Sequence, residues 1–312
     1  MIIIIMSLNK PIYKMRDWIY KNIDKLDFKS LCENPNSISF IQDNLDKINW
    51  IFLSSNPNAI ELLKLNYDKI DWYLLSGNPN AIELLKTNYD KIDWYYLSLN
   101  PNAYEILIKN PEKINWCLLS LNDDDKIIEL LIENKDKIDW LNFTINRNPK
   151  AISLIQDNLD KIEWSNLSLN PNAISLLKKN PDKIVYEWLS LNENAISILK
   201  ENYDKINWIN LSYNRNPEAI SILEKNFNKI YWKGLSKNPS AISILENNQD
   251  KIDWFSLSKN PAIFQLDYEK MKNNELHMKL EEDLIKEIMK PSRIFKYINK
   301  YPDYDYLEEL FS

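Results

Sequence analysis

The sequence predicts an all-α protein: an α-solenoid of about eleven short helix-turn-helix repeats with N- and C-terminal helical caps. Three observations predict it. A pattern centred on Asp-Lys-Ile-Asp-Trp recurs at steps of 22 or 24 residues through most of the chain, and self-similarity at such a period marks stacked repeats. Only 2 of 312 residues are glycine, which excludes glycine-rich phosphate loops and glycine-dependent hairpins. The hydrophobic fraction of 45% is ample for a continuous core.

The stretch from Asp68 to Tyr89 is a typical unit. Asn78-Pro79-Asn80 predicts the start of a first helix, helix A, with asparagine as N-cap and proline at the first helical position. Helix A then buries Ile82 and Leu85, and Asn88 ends it, since asparagine tolerates the left-handed conformation that closes helices. The second helix, helix B, runs from about Trp72 to Ser76. Asp71 is its expected cap, which makes Ile70 and Leu75 a hydrophobic staple. Helices this short are unstable alone, so each copy must bury its apolar residues against its neighbours.

In order, residues 1–27 are expected to cap the first repeat, with Trp18, Ile19 and Ile23 covering its open face. Residues 28–262 form the array, whose Trp position is filled at Phe28, Trp50, Trp72, Trp94, Trp116, Trp140, Trp164, Tyr186, Trp208, Trp232 and Trp254. Two-residue insertions at Asp123 to Asp125, Asn146 to Pro149 and Asn214 to Pro217 are expected in the loop between helix B and helix A. The Tyr186 copy, with Trp188 two residues late and no proline beside Asn192, is expected to be locally irregular. Residues 263–312 form the C-terminal cap: an amphipathic helix carrying Leu276, Leu280, Leu284 and Ile288, ended by Pro291, then short helical segments at 292–299 and 303–311. The packing of some eleven helix pairs predicts a rod or superhelix roughly 100 Å long.

A net charge of −6 argues against a polyanionic ligand. Cys32 and Cys117 lie in different repeats and predict neither a disulfide framework nor a zinc site; a reducing compartment, the cytoplasm, fits best. The run Ile2 to Ile5 is too short for a membrane span and lacks a basic segment before it. No catalytic, cofactor-binding or metal-binding constellation is expected. His277 has no second nitrogen or thiolate near it in sequence, and Glu281, Glu282 and Asp283 read as a charged helix face. The recurrent tryptophan reads as core rather than as a base-stacking ladder. The recurrent lysine is preceded by an acidic residue in nearly every copy, which reads as a self-paired, solvated face and makes nucleic acid an unlikely partner. The asparagine of each Asn-Pro-Asn is expected to form a buried ladder between copies.

The string Lys-Ile-Asp-Trp-x-x-Leu-Ser-x-Asn-Pro-Asn-Ala-Ile-x-x-Leu, present from Lys91 to Leu107 with Tyr104 in the Ile position, resembles the short Trp-containing tandem repeats encoded in many copies by giant DNA viruses. Lys290-Pro291-Ser292-Arg293-Ile294 is similar to the end-piece of those proteins. The resemblance covers most of the chain and implies no catalytic residues. It also implies a likeness to viral repeat arrays that engage host proteins, and hence a host cytoplasm, or a virion, as the setting.

The expected function is a non-enzymatic, monomeric repeat scaffold that binds a protein partner. The alternatives are a self-assembling structural or virion-associated protein and a single-stranded nucleic-acid binder. Positions that vary between copies point to the partner-binding strip. The two residues after the Trp position are apolar or aromatic in the first half of the chain: Ile51, Phe52, Tyr73, Leu74, Tyr95, Tyr96 and Leu118. At least one of the two should point outward and form an apolar, tyrosine-rich strip.

Overall fold

The computed structural model describes residues 11–273 and, beyond them, Lys286 and Lys290. The chain divides into two compact units, Met15–Gln265 and a second made of Met1–Lys14 with Leu266–Ser312. The first holds the repeats and is a solenoid of short helices.

Helix B of the typical copy spans Trp72–Ser76, and the Asp71 carboxylate accepts the Leu74 N–H at 2.9 Å. Ile70 and Leu75 on either side of that cap are buried, as the staple requires. Asp27, Asn49, Asp93, Asn115, Asp139, Asn207 and Asp253 cap their copies in the same way.

Helix A departs from expectation. It spans Ile82–Lys86 and begins after Ala81, three residues beyond Asn78. The Asn78 side chain folds its own turn instead, accepting the Asn80 N–H at 3.0 Å. Its amide reaches back one copy and donates to Ser54 O and Asn56 O at 3.0 and 2.9 Å. The oxygen that would cap a helix is thereby used within the turn and the amide within the stack, and the helix starts later. Neither does Asn88 close the helix in the left-handed region: it sits at φ −133°, and its side chain donates to Leu84 O at 2.8 Å.

The 24-residue steps lengthen helix A rather than a loop. Asn-x-Asn (or Asn-x-Asp) is kept, and the two added residues form an extra turn, giving Asp125–Glu133, Pro149–Gln156 and Pro217–Glu224. Only in these copies does the residue before the helix act as a true N-cap: Asp124, Asn148 and Asn216 accept N–H bonds from the first turn. The Tyr186 copy is regular in backbone, with helix B at Tyr186–Leu189 and the Asn192 amide bonded to Ser168 O and Asn170 O.

The main difference from the sequence reading is that the array has no free ends. Asn34 donates to Asn260 O at 3.0 Å, as Asn56 does to Asn34 O. Asn36 donates to Pro261 O at 3.1 Å, as Asn58 does to Pro35 O. The Asp27 N–H meets Ser258 Oγ at 2.9 Å, as the Asp71 N–H meets Ser54 Oγ. The hydrogen bonds that join neighbouring copies in this way therefore also join the last to the first, and the array within Met15–Gln265 is a closed ring rather than a rod or open superhelix.

The seam explains the segment expected as an N-terminal cap. Helix Asp17–Tyr20 and the turn Ile23–Lys25 reproduce helix A and the turn of a normal copy, down to the Asn22 amide donating to Trp18 O. Their helix B lies at the other end of the array, at Trp254–Ser258. The eleventh repeat is thus a composite of both ends. Arg16 locks it, with its backbone N–H on Ile263 O and its Nε on Ala262 O at 2.7 Å. Beyond it, β1 (Tyr13–Met15) pairs with β2 (Phe264–Leu266).

In the second unit, Asp267 caps a helix that starts at 268 and is described to 273, accepting the Lys270 N–H. The leucine stripe at 276–288, His277, Glu281 to Asp283 and the segments at 292–299 and 303–311 lie outside the described residues, Lys286 and Lys290 apart.

Closure makes a testable difference at Asn34. In an open array Asn34→Ala would remove a side chain from a free edge. In the ring it uncovers buried carbonyls, at about 1–3 kcal/mol for each unsatisfied group. Urea unfolding of Asn34→Ala and Asn78→Ala should therefore show similar losses, about 2–4 kcal/mol each, and a neutral Asn34→Ala would contradict the ring.

Candidate interaction surface

Around most of the ring, helix B approaches helix B of the next copy more closely than helix A approaches helix A. Equal steps around a closed circle are shorter nearer the axis, so the B helices form the inner layer. Leu75 points into the core between the layers and is fully buried. The residue directly after the Trp position lies on the opposite side of the helix, toward the inner edge.

The predicted strip splits accordingly. Ile51, Tyr73 and Tyr95 are 53, 48 and 50% exposed on the inner face. Phe52, Leu74, Tyr96 and Leu118 are half-buried on its flank, between neighbouring copies. The exposed row continues into the second half with Leu141, Ile209 and Phe255. Reading the two positions as dipeptides concealed this, because the polar second residues belong to the flank: the Asn142, Asn166 and Asn210 amides donate to backbone carbonyls of the preceding inner helix, Cys117 O, Leu141 O and Glu187 O.

Tyrosines cluster on this face. The rings of Tyr73 and Tyr96 are 4.0 Å apart between centroids, and those of Tyr95 and Tyr96 5.5 Å. A hydrogen bond with Tyr96 holds the Tyr73 proton and pushes its pKa up to about 12. Both glycines sit where a tyrosine ring covers an inner helix. A Cβ on Gly234 would lie 2.9 Å from the Tyr213 ring, and one on Gly77 3.4 Å from Tyr96.

The tryptophans at the recurrent position are half-buried rather than central to the core. Trp72 has the Tyr67 ring at its edge and Lys91 of the next copy over its face, with Nζ 4.7 Å from the centroid. Lys69 over Trp50, Lys113 over Trp94, Lys137 over Trp116 and Lys229 over Trp208 repeat the arrangement, and Lys25 over Trp254 carries it across the seam. Such contacts contribute about 0.5–1 kcal/mol each at exposed sites. The lysine row is therefore an inter-repeat clamp. Pairing with the preceding acid, the expected arrangement, occurs at Asp182–Lys183 and Asp250–Lys251.

The acidic run is likewise structural. Asp124 caps its helix, and Asp125 receives bonds from Asn148 and Lys150 of the next copy, which hold its carboxyl below the usual range. Among the described residues no three His, Cys, Asp or Glu side chains gather in a metal-binding group, and no helix is long and apolar enough to cross a membrane. Comparison of the chain with protein-family models, curated proteins and solved structures finds no match.

Two predictions follow from the inner face. A tyrosinate absorbance titration should show a late step near pH 12 that disappears in Tyr73→Phe, while the step of Tyr213, which burial also pushes up, remains. Because the folded-state pKa of Tyr73 lies above the ordinary value of 10.0, the associated stability is present below pH 10 and lost as pH rises toward 12. Second, a maleimide should modify one thiol of the native protein, the exposed Cys117, while Cys32 reacts only after unfolding. Burial pushes both thiols up, so the reaction at neutral pH should be slower than that of a free thiol.

Proposed function

We propose that the protein is a non-enzymatic scaffold whose inner ring face binds a protein partner. The observation that carries this reading is the row of exposed Ile51, Tyr73 and Tyr95 on three successive inner helices, taken up again by Leu141, Ile209 and Phe255 farther round the ring. Large apolar side chains gathered into one exposed surface mark interaction sites, and tyrosine is favoured in them. The half-buried Phe52, Leu74, Tyr96 and Leu118 stiffen that surface from the side.

The likeness to viral tandem repeats supports a host protein as the partner and the host cytoplasm as the setting. Head-to-tail self-assembly loses its main support, because the repeat edges it would use are joined to each other at the seam. Nucleic-acid binding through the lysine row loses its support for a similar reason, since most of those ammonium groups lie over aromatic rings.

The test is affinity capture from host-cell lysate with the wild-type chain and an Ile51→Ser/Tyr95→Ser/Leu141→Ser variant. These side chains are half exposed, so the variant should melt within a few degrees of wild type. A specific partner retained by the wild type and lost from the variant is the expected result. Identical capture profiles, or turnover of a substrate unaffected by the three changes, would overturn it.

A further inference from the structure

The inner face is not uniform around the ring. On helix B, the residue after the Trp position and the one four further on share a face, one turn apart. Over the seam four of these six positions are lysine, the other two being Phe255 and Glu33. Lys233 and Lys237 share one inner helix, Lys29 lies across the seam, and Lys259 stands between them. Lys259 pairs with Glu33 at 3.4 Å, whereas Lys29, Lys233 and Lys237 are exposed and carry no ion pair among the described residues. The copies halfway round the ring carry Leu121, Leu141 and Ile145 at the same positions. The opening therefore has a sector with three lysines, unpaired among the described residues, around Phe255, facing one with no charge at these positions.

Its width follows from packing. Eleven inner helices at about 8–10 Å spacing place their axes about 15 Å from the centre and leave an opening roughly 15–20 Å wide. An α-helix with its side chains is about 10–12 Å across, so one helix fits and its two sides face different sectors.

We infer that the ring encircles a single amphipathic α-helix of a partner protein, with its apolar side on the Leu141 sector and an acidic side toward Lys29, Lys233 and Lys237. The inference rests on the protein-binding reading above and adds the chemistry of the partner. An apolar helix would leave the lysines facing it uncompensated, and a basic one would be repelled by them. A single-stranded nucleic acid would answer the lysines but leave Leu121, Leu141 and Ile145 without apolar partners.

The test uses the full chain and three fluorescent peptides, each about five turns long. One has a leucine face opposite a glutamate face, the second replaces glutamate by lysine, and the third scrambles the first so that no face remains. Anisotropy should show the acidic amphipathic peptide binding at least about tenfold more tightly than either other. Lys233→Glu/Lys237→Glu should reverse the preference between acidic and basic peptides while leaving the melting temperature near wild type. A photocrosslinker on the native Cys117 should capture the acidic peptide; one on Glu83→Cys of the outer layer, in a Cys117→Ser chain, should not.

Equal binding of the acidic and basic peptides, or displacement of the acidic peptide by an oligonucleotide of equal charge at equal concentration, would overturn the inference. If the peptides fail to discriminate yet Ile51→Ser/Tyr95→Ser/Leu141→Ser still abolishes capture of a lysate protein, the partner class is wrong and the scaffold reading stands. If those changes affect nothing, both fall.

Discussion

The structure depends on one side-chain amide per copy. Each ladder asparagine donates both N–H groups to carbonyls of the copy before it while its oxygen accepts from its own turn, as Asn100 does with Ser76 O, Asn78 O and the Asn102 N–H. The site is almost fully shielded from water, so leaving any of these groups unpaired carries the full desolvation cost. The bond is directional, because the donor always looks back along the chain. Copies can therefore stack in one sense only, and an array with free ends would expose bare carbonyls at one end and an idle amide at the other. Closure answers both with the same pair of groups.

That arrangement sorts the rest of the chain by radius. Close approach of the inner helices favours small residues where a ring must lie flat, which accounts for glycine at 77 and 234 beside Tyr96 and Tyr213. Farther out, the lysine and tryptophan of successive copies clasp each other, and exposed ion pairs such as Glu61–Lys64 and Glu105–Lys126 decorate the outer helices. Surface pairs of that kind contribute little to stability. The exposed apolar residues on the inner helices have no such structural role, and that asymmetry is why the functional reading falls on them.

Much of this was legible in the sequence. The period, the Asp71 cap and the asparagine ladder followed from residue chemistry and local spacing, and the structure bears them out. The start of helix A was misread because Asn-Pro is a strong local start signal, whereas its amide is claimed by a residue 22 positions away, which local rules do not see. The lysine failed for the same reason: its acidic neighbour is adjacent in sequence, but the tryptophan it covers belongs to the preceding copy. The seam did leave a trace. Residues 16–28, Arg-Asp-Trp-Ile-Tyr-Lys-Asn-Ile-Asp-Lys-Leu-Asp-Phe, spell a helix A and its turn with no helix B before them, and Asn260-Pro261 ends a copy with no helix A after it. Two complementary halves at opposite ends are the sequence signature of a closed array.

The composite eleventh repeat also fixes the number of copies. An open solenoid can gain or lose a repeat at modest cost, since each unit contacts only its neighbours. Here every copy turns the chain through about 33°, one eleventh of a circle, and the ladder bonds tolerate only small departures from their geometry. Duplicating one 22-residue unit would require every step to open by a few degrees or the seam to part. Copy number in this chain is thus a property of the whole ring.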